Sequence, residues 1–430
     1  MTTILSFLSF VVPFVVVIGV LILIHELGHF IVARRMGVGV ERFSIGFGPI
    51  LLRWRGKETE YCLSAVPLGG YVKMMGEENP LEGEGSGVVD PAKSFSLKPL
   101  AARFLIVFAG PGMNFVLAAV IFAALFMVVG RPVLPSTVGP IRDGGPAVLG
   151  AIQAGGGETR QITFVRDGRE HRAALTPART KVADFFGDER ELWDIGARPF
   201  HVKIGEVVPG EAASKAGLRA GDIVVALDGA QVLSFDELAE QIQKRAGKAT
   251  ELTLERAGRP LTVTVVPQPV KDRRLSGEEV KVGRIGIKPA PVVITYARSN
   301  PIVAVGQGAL KTGEVTVVTV VGLWKIVTGR LSASNIGGPI QIAQVAAEQA
   351  RHGLGSLAFL TAAISVNLAV LNLLPVPMLD GGHLFFFVIE AVRGRPLSLR
   401  KREVAQQVGF FLLLLLMVFA VYNDLSRFFR

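Results

Sequence analysis

The chain has 430 residues, half of them hydrophobic, and a formal net charge of +10. This hydrophobic content and a mean hydropathy of +0.45 are high for a soluble protein and indicate membrane-embedded segments. Basic residues in such a protein commonly mark cytoplasmic loops and contacts with anionic lipid. Because no Lys/Arg-rich tract interleaved with aromatic residues is present, we expect no nucleic-acid partner. The single cysteine, Cys62, excludes a disulfide within the chain.

Four uncharged apolar stretches are long enough to cross a lipid bilayer as helices. They are residues 4–24, 104–129, 353–379 and 404–422. The first continues as a predicted helix to residue 33, and the N-terminus lacks the basic segment and cleavage site of a removed signal peptide. The sequence therefore predicts a multi-pass α-helical membrane protein with four transmembrane helices.

The first stretch ends in His25-Glu26-Leu27-Gly28-His29, an H-E-x-x-H motif. Residues four apart lie on one helix face, so the two histidines can offer their imidazoles to one metal ion. Glu26 projects beside them and can act as a general base toward water. Ionisable side chains at membrane depth are costly unless they are paired or bound to a metal, which favours a metal site over a solvated helix end.

The second stretch contains Gly110-Pro111-Gly112-Met113-Asn114, which predicts a break or kink in its helix. An asparagine at that depth needs a hydrogen-bond partner. We therefore expect Asn114 to contact a polar group of another element.

Residues 40–75 are rich in glycine, proline and β-branched or aromatic side chains, which predicts short strands and hairpins with glycines at the bends. A sheet near the metal site could offer a free edge to an extended peptide, whereas the alternative interpretation is an ordinary loop. Residues 76–98 are acidic and then Gly/Ser-rich, which predicts a linker.

A large polar insert separates the second and third stretches. Within it, residues 199–270 show a strand, a short helix, a G-L-x-x-G-D turn, another strand and a D-G turn, an order that resembles a bacterial PDZ domain. PDZ domains bind extended peptides by strand addition. Residues 131–198 carry a shorter, weak repeat without that turn, which we interpret as a truncated or degenerate first PDZ-like segment. Residues 271–350 predict a linker with a short interfacial amphipathic helix at 315–324.

The distribution of basic residues predicts the orientation in the membrane. Residues 34–103 hold ten Lys and Arg residues and the connection 384–403 holds five, whereas residues 1–24 hold none. Both connections are expected in the cytoplasm, and both termini and the PDZ region on the other side. The predicted domains are 1–33, 34–103, 104–130, 131–198, 199–270, 271–350, 351–383 and 384–430.

A catalytic zinc site usually takes three protein ligands and leaves one position open for water. Asp380 ends the third stretch after Pro375 and Pro377, which break the helix and place a carboxylate at membrane depth. His383, three residues later, is the rival for the third position. We favour Asp380, because His383 is expected to face the cytoplasmic side or to support the site.

H-E-L-G-H in the first stretch, G-P-G-M-N in the second and N-L-A-V-L-N-L-L-P-V-P-M-L-D-G in the third resemble the site-2 protease family of intramembrane zinc metalloproteases. With the PDZ region and four spans, the chain resembles the bacterial regulator-of-sigma-E protease branch over nearly its whole length. The resemblance implies that His25, His29 and Asp380 bind zinc and that Glu26 is the general base.

The resemblance also implies how substrates are handled. Asn372 and Asn367 would hold the substrate backbone, and the edge around Gly69, Gly70 and Tyr71 would meet an unwound substrate. The implied substrates are transmembrane segments of single-span proteins, of the anti-sigma-factor type or signal-peptide remnants, cleaved in the bacterial inner membrane. The short first PDZ-like segment departs from the family pattern. This departure weakens the case for substrate gating by the PDZ domains and leaves the expected chemistry of the metal site unchanged.

Two other functions fit parts of the sequence. A non-catalytic membrane adaptor would use the PDZ domain to collect partners and would not need Glu26. A metal transporter would need several polar sites along a path through the membrane. Only one such constellation is visible in the sequence, which favours the protease.

Overall fold

The computed structural model describes residues 2–77, 90–133, 137–138, 141–142, 157–166, 169–183, 189–194, 202–232, 234–273, 279–290 and 295–428. The chain forms two compact units. The first contains Met1–Gly130, Arg298–Thr328 and Ala333–Arg430, and the second contains Arg131–Ala297 and Gly329–Ser332.

The described residues form nine α-helices and eighteen strands. The helices are α1 (Thr2–Arg35), α2 (Leu100–Val128), α3 (Ala212–Lys215), α4 (Phe235–Gln243), α5 (Pro301–Val327), α6 (Pro339–Arg351), α7 (Leu354–Asn372), α8 (Asp380–Arg393) and α9 (Leu399–Phe428). The strands are β1 (Val40–Arg55), β2 (Glu60–Met74), β3 (Arg131–Val133), β4 (Thr137–Val138), β5 (Ile141–Arg142), β6 (Arg160–Arg166), β7 (Arg169–Leu175), β8 (Ala178–Ala183), β9 (Glu189–Asp194), β10 (Val202–Val207), β11 (Ile223–Leu227), β12 (Ala230–Gln231), β13 (Thr250–Arg256), β14 (Arg259–Val265), β15 (Gln268–Arg273), β16 (Glu279–Arg284), β17 (Ile287–Pro289) and β18 (Thr295–Ala297).

Four of these helices, α1, α2, α7 and α9, are long and apolar enough to cross a membrane. Pro13 lies inside α1 and Pro111 inside α2, and neither ends its helix. Of the break or kink predicted at residues 110–114, the break is therefore wrong, and the kink stays a prediction. A proline removes one main-chain donor, and the packing of α2 against neighbouring helices holds the rest of the helix together.

The third apolar stretch is not one helix. α7 ends at Asn372, residues 373–379 form a turn, and Asp380 begins α8 instead of ending a span. Pro375 and Pro377 lie in this turn because proline has no main-chain donor and disfavours helical geometry in the residue before it. The connection predicted after Asp380 is largely helical as well, since α8 continues to the start of a short link before α9.

α5 is much longer than the short interfacial helix predicted at residues 315–324. It begins after Asn300, whose side chain accepts a hydrogen bond from the main-chain N–H of Val303 at 2.9 Å. Lys311 and Glu314 lie in its first half and form an ion pair at 2.9 Å. The prediction followed the uncharged run that begins after these two residues, and it therefore missed the start of the helix. The predicted linker is thus mostly ordered strands and helices.

β1 and β2 form a sheet where the sequence predicts hairpins. Register shifts let residues 40–45 of β1 lie between two parts of β2, with residues 70–74 on one side and residues 60–63 on the other. Residues 50–55 pair with the first part of β2. Residues 70–74 are therefore an edge, with a strand partner on only one side within the described ranges. The buried core beneath the sheet comprises Ala33, Val38, Val40, Met74 and Ile106.

In the second unit, six strands form one sheet in the order β14-β13-β11-β10-β17, with β12 paired to β11. Its core includes Val202, Ile204, Leu227, Leu238, Leu252 and Leu254. The last strand, β17, lies beyond residue 270, where the sequence predicts that the domain ends. The hairpin β15–β16 precedes β17 in the chain, and a local sequence pattern does not reveal that a later strand joins the sheet.

The described part of residues 131–198 consists of β3 and the hairpins β4–β5, β6–β7 and β8–β9. β3 pairs with β18, which places Arg131 opposite Ala297. Residues 143–147 of the predicted repeat and residues 78–89 of the predicted linker lie outside the described residues.

The aspartate of the G-L-x-x-G-D turn, Asp222, forms an ion pair with Arg256. Asp222 is buried and accepts hydrogen bonds from Nε and Nη2 of Arg256, each at 2.7 Å, and from the main-chain N–H of Arg219 at 2.8 Å. The hydrogen bonds from Arg256 hold the pKa of the Asp222 carboxyl below its usual range. The carboxylate thus joins β11, β13 and the turn between α3 and β11.

We expect Asp222→Asn to lower the free energy of unfolding of the second unit by about 2 kcal/mol, because the Arg256 guanidinium loses its charged acceptor. Since the folded state depresses this pKa, the wild-type advantage is present above pH of about 4 and is lost as pH falls through the folded-state pKa. Hydrogen–deuterium exchange of β11 and β13 in the full-length protein measures the effect. Equal protection in both proteins at pH 7 would contradict it.

Candidate metal centre

Three side chains from α1 and α8 converge. Nε2 of His25 lies 3.1 Å from Oδ2 of Asp380, Nε2 of His29 lies 3.5 Å from Oδ1, and the two Nε2 atoms are 3.2 Å apart. Both histidines are buried and Asp380 is half-buried. In the part of the chain that the structure describes, no other group of three His, Cys, Asp or Glu side chains is close enough to hold one metal ion.

Close packing of the turn at residues 373–379 places Asp380. Gly381 and Gly382 lie directly against this turn, and a Cβ on either would collide with its main-chain carbonyl groups. Gly409 of α9 lies against Pro377 on the turn. The absence of side chains at these positions lets α8 begin where its first carboxylate reaches the histidines.

An ion pair holds the other end of α8. Arg103 of α2 donates two hydrogen bonds to Glu390, at 2.6 and 3.3 Å, and its guanidinium lies 5.1 Å from the centre of the Phe387 ring. Such bidentate pairs fix orientation as well as distance. This ion pair therefore joins α2 directly to the helix that carries Asp380.

The main chain of α2 approaches the histidines closely. Gly28 of α1 lies against the carbonyl group of Ala109, and Gly110 lies against the imidazoles of His25 and His29. A Cβ at either glycine would collide with these groups. Both glycines are therefore needed for the two helices to meet at the metal-binding cluster.

Hydrogen bonds on the far side of the rings orient both imidazoles. Nδ1 of His29 lies 2.9 Å from the carbonyl oxygen of Ile106, which can only accept, so Nδ1 carries the proton and Nε2 offers a lone pair to the cluster. Nδ1 of His25 lies 3.2 Å from Nδ2 of Asn114, whose Oδ1 is buried and has no hydrogen-bond partner among the described residues. Two imidazole nitrogens and one carboxylate form a donor set that suits zinc.

Glu26 lies beside the cluster and is half-buried. Its carboxylate makes no hydrogen bond or ion pair with any other described residue. Its side chain lies against Gly70 of β2, where an added Cβ would come within 3.1 Å of Cγ of Glu26. A carboxylate without a fixed partner, next to two histidines, can accept and release a proton.

The predicted substrate edge adjoins Glu26 through Gly70. Gly69 has a φ of +154°, a conformation that favours glycine. The hydroxyl of Tyr71 accepts a hydrogen bond from Arg42 at 3.2 Å, which fixes the next residue of the edge. The structure therefore places Gly70 against the H-E-x-x-H helix, with Gly69 and Tyr71 as its neighbours in β2.

The other predicted site residues lie apart from the three-residue cluster. Asn372 is the last residue of α7, half-buried, directly before the turn that leads to α8. Asn367 is exposed, and its Oδ1 accepts a hydrogen bond from the Thr319 hydroxyl of α5 at 2.6 Å. The ring of His383 packs edge-on against Phe386, with centres 6.4 Å apart, and is not part of the cluster.

Several contacts around the site were not predicted from the sequence. The sequence indicated that Asn114 needs a polar partner, because it is an amide in an apolar stretch, but it did not identify His25 as that partner. Arg103 and Glu390 lie 287 positions apart, and nothing local in the sequence pairs them. The Ile106 carbonyl has no sequence signal, since every residue has one.

Comparisons with known proteins identify the family of the chain. The model of peptidase family M50 matches residues 13–416. The protease RseP of Yersinia pestis is 36% identical over 98% of this chain and 100% of its own, and the regulator of sigma-E protease RseP of Escherichia coli is 35% identical over the same shares. A protein of Agrobacterium fabrum named "Putative zinc metalloprotease" is 33% identical over 97% of this chain and 96% of its own.

A solved PDZ domain of an SdrC-like protein from Listeria monocytogenes is also similar to part of the chain. It is 19% identical and covers 21% of this chain and 86% of that domain, with a TM-score of 0.17.

Four long apolar helices and a buried cluster of two histidines and an aspartate define a multi-pass membrane metalloprotease. The chain belongs to peptidase family M50, the site-2 protease family, and is a zinc metalloprotease. This confirms the family predicted from the H-E-L-G-H motif and its companions.

We expect Asp380→Ala to weaken zinc binding more than roughly 100-fold, because it removes the carboxylate predicted to coordinate the metal. Loss of a residue that only supports a metal ligand typically weakens binding by roughly 100-fold at most. His383→Ala on the same helix is the matched control and should bind zinc as wild type does. Competition with a chelator on the purified full-length protein measures both affinities. If His383→Ala strips the metal while Asp380→Ala retains it, the third ligand is wrongly assigned.

Proposed function

We propose that this protein hydrolyses peptide bonds inside the transmembrane segments of single-span membrane proteins. The observation that carries the proposal is the meeting of His25, His29 and Asp380 in an apolar helix assembly, with the unpaired carboxylate of Glu26 beside them. Suitable substrates are anti-sigma-factor-type proteins and signal-peptide remnants in the bacterial inner membrane. The basic connections would face the cytoplasm, and the termini and second unit the opposite side.

His25, His29 and Asp380 would hold zinc through two Nε2 atoms and a carboxylate oxygen. Zinc, when bound, would act as a Lewis acid on the scissile carbonyl and on the attacking water. Glu26 would take the proton from that water and deliver it to the leaving amine. Because no other described residue binds its carboxylate, Glu26 is available for both transfers.

A transmembrane helix hides its peptide groups in its own hydrogen bonds, so the substrate must unwind before cleavage. Residues 70–74 offer an edge with one open side, and strand pairing there would hold the unwound segment extended. Since Gly70 lies against Glu26, a paired substrate would run past the general base.

The amide side chains of Asn372 and Asn367 would bind the substrate main chain. Asn372 lies where α7 gives way to the turn before Asp380, and its amide has no hydrogen bond to another described residue. Asn367 would have to share or exchange its hydrogen bond with Thr319 when substrate arrives. The two asparagines therefore differ in how readily they can take a substrate.

We expect Glu26→Gln to keep zinc and to lower the rate of cleavage roughly 10²- to 10⁴-fold, because glutamine has nearly the same shape but cannot accept the proton. Glu403→Gln, which changes an exposed glutamate on α9, is the matched control and should cleave normally. Zinc content and cleavage of a tagged single-span substrate are measured on the same preparation. Substantial cleavage by Glu26→Gln would rule out the general-base role and revive the adaptor hypothesis.

We also propose that the sheet of β10 to β14 and β17 is a peptide-binding PDZ domain. β17 is the end strand of this sheet, with a strand partner on only one side among the described residues. An extended peptide could therefore add to β17. The whole second unit would also act as a steric filter that excludes substrates with a bulky folded outer domain.

The filter can be tested by removing residues 131–297. Because Arg131 and Ala297 are paired, their flanking ends are close enough to join with a short linker. One transmembrane segment is offered with a folded outer domain or with a short stub. Intact enzyme should cut only the stub form, and the deletion variant should cut both. Equal cutting of both forms by intact enzyme would refute the filter, and loss of stub cleavage by a folded deletion variant would indicate recruitment instead.

A further inference from the structure

We propose that Asn114 is a positioning residue that holds His25 in the tautomer able to bind the metal, by accepting the Nδ1–H of His25 with its Oδ1. The proposal rests on the proposed zinc site. Asn114 lies in the middle of α2 and is 0% exposed. Its amide nitrogen is 3.2 Å from Nδ1 of His25, and its Oδ1 is a buried side-chain oxygen without a hydrogen-bond partner.

In the structure, the Asn114 amide presents its Nδ2 to Nδ1 of His25. With Nδ2 donating to an unprotonated Nδ1 of His25, the ring proton is on Nε2, which lies 3.1 Å from Oδ2 of Asp380. The Nε2–H group of the neutral ring then donates a hydrogen bond to the Asp380 carboxylate. In this orientation Oδ1 of Asn114 has no hydrogen-bond partner among the described residues.

Metal binding requires the other tautomer. Nε2 of His25 must then offer a lone pair, so the proton moves to Nδ1 and needs an acceptor. A half-turn of the Asn114 amide about its Cβ–Cγ bond brings Oδ1 to the position now held by Nδ2. An amide can serve both tautomers, because it carries a donor and an acceptor on one group of fixed shape.

The two histidines differ in this respect. Nδ1 of His29 faces the Ile106 carbonyl, which can only accept, so its tautomer is already fixed for metal binding. Only His25 must change its tautomer, and only His25 has a side-chain amide as its partner. Asn114 is itself anchored, because the buried Ser365 hydroxyl of α7 donates to its main-chain oxygen at 2.8 Å.

Two near-isosteric substitutions separate this role from simple packing. Asn114→Leu removes the acceptor and should weaken zinc binding roughly 10- to 100-fold, the usual effect of losing an outer-shell partner. Asn114→Asp supplies an acceptor that cannot donate, so it should bind zinc at least as tightly as wild type and release it more slowly. Thr361→Val is the matched control, because the Thr361 hydroxyl bonds only within α7 to Leu357 and should leave zinc affinity unchanged.

Zinc affinity and the rate of zinc release to a chelator are measured on the full-length protein in detergent, with thermal unfolding as the test of folding. The expected order of affinity is Asn114→Asp equal to or above wild type, and Asn114→Leu below it. Equal affinity of folded Asn114→Leu and wild type would overturn the proposal. If Asn114→Leu does not fold, Asn114→Asp decides, because faster zinc release than wild type would overturn it. Wild type that binds no zinc would refute the proposed function instead.

Discussion

The structure depends on one constraint, which is that ionisable groups among apolar helices are costly unless they are paired, and at this site only Glu26 is left without a described partner. Each such group costs several kcal/mol when it is left alone at membrane depth. Here two imidazoles and the Asp380 carboxylate satisfy one another, and the Ile106 carbonyl and the Asn114 amide satisfy the outer ring nitrogens. The same contacts that remove the cost of burial also bring α1, α2 and α8 together. Stability and chemistry therefore have the same origin in this protein.

Glycine makes that convergence sterically possible. Gly28 and Gly110 allow the main chains of α1 and α2 to meet at the histidines, and Gly381 and Gly382 allow α8 to begin directly against the turn before it. A fifth glycine, Gly70, brings the β2 edge against the general base. Each element thus reaches the cluster through main-chain contact, where a side chain would have pushed it away. These glycines explain how the interiors of α1 and α2, the start of α8 and a strand edge can meet at one site.

Much of the site was predictable because its parts are local. The i, i+4 spacing of His25 and His29, and an aspartate after two prolines, are visible in one segment each. Other features depend on contacts between distant segments. From composition alone, the start of α8 at Asp380 cannot be distinguished from the end of a transmembrane span. The charged residues Lys311 and Glu314 interrupt the apolar pattern in the first half of α5, so the full length of that helix was not predicted. β17 joins its sheet only after an intervening hairpin, which a local sequence pattern does not show.

X-ray absorption at the zinc edge of the purified full-length protein tests the central claim most directly, because it reports the atoms bound to zinc. The account predicts one tightly bound zinc with two imidazole nitrogens from His25 and His29, and with otherwise oxygen ligands that include Asp380. His25→Ala should reduce the imidazole contribution by half or abolish binding. Zinc bound through sulfur, a spectrum without imidazole, or a spectrum unchanged by His25→Ala would contradict the account.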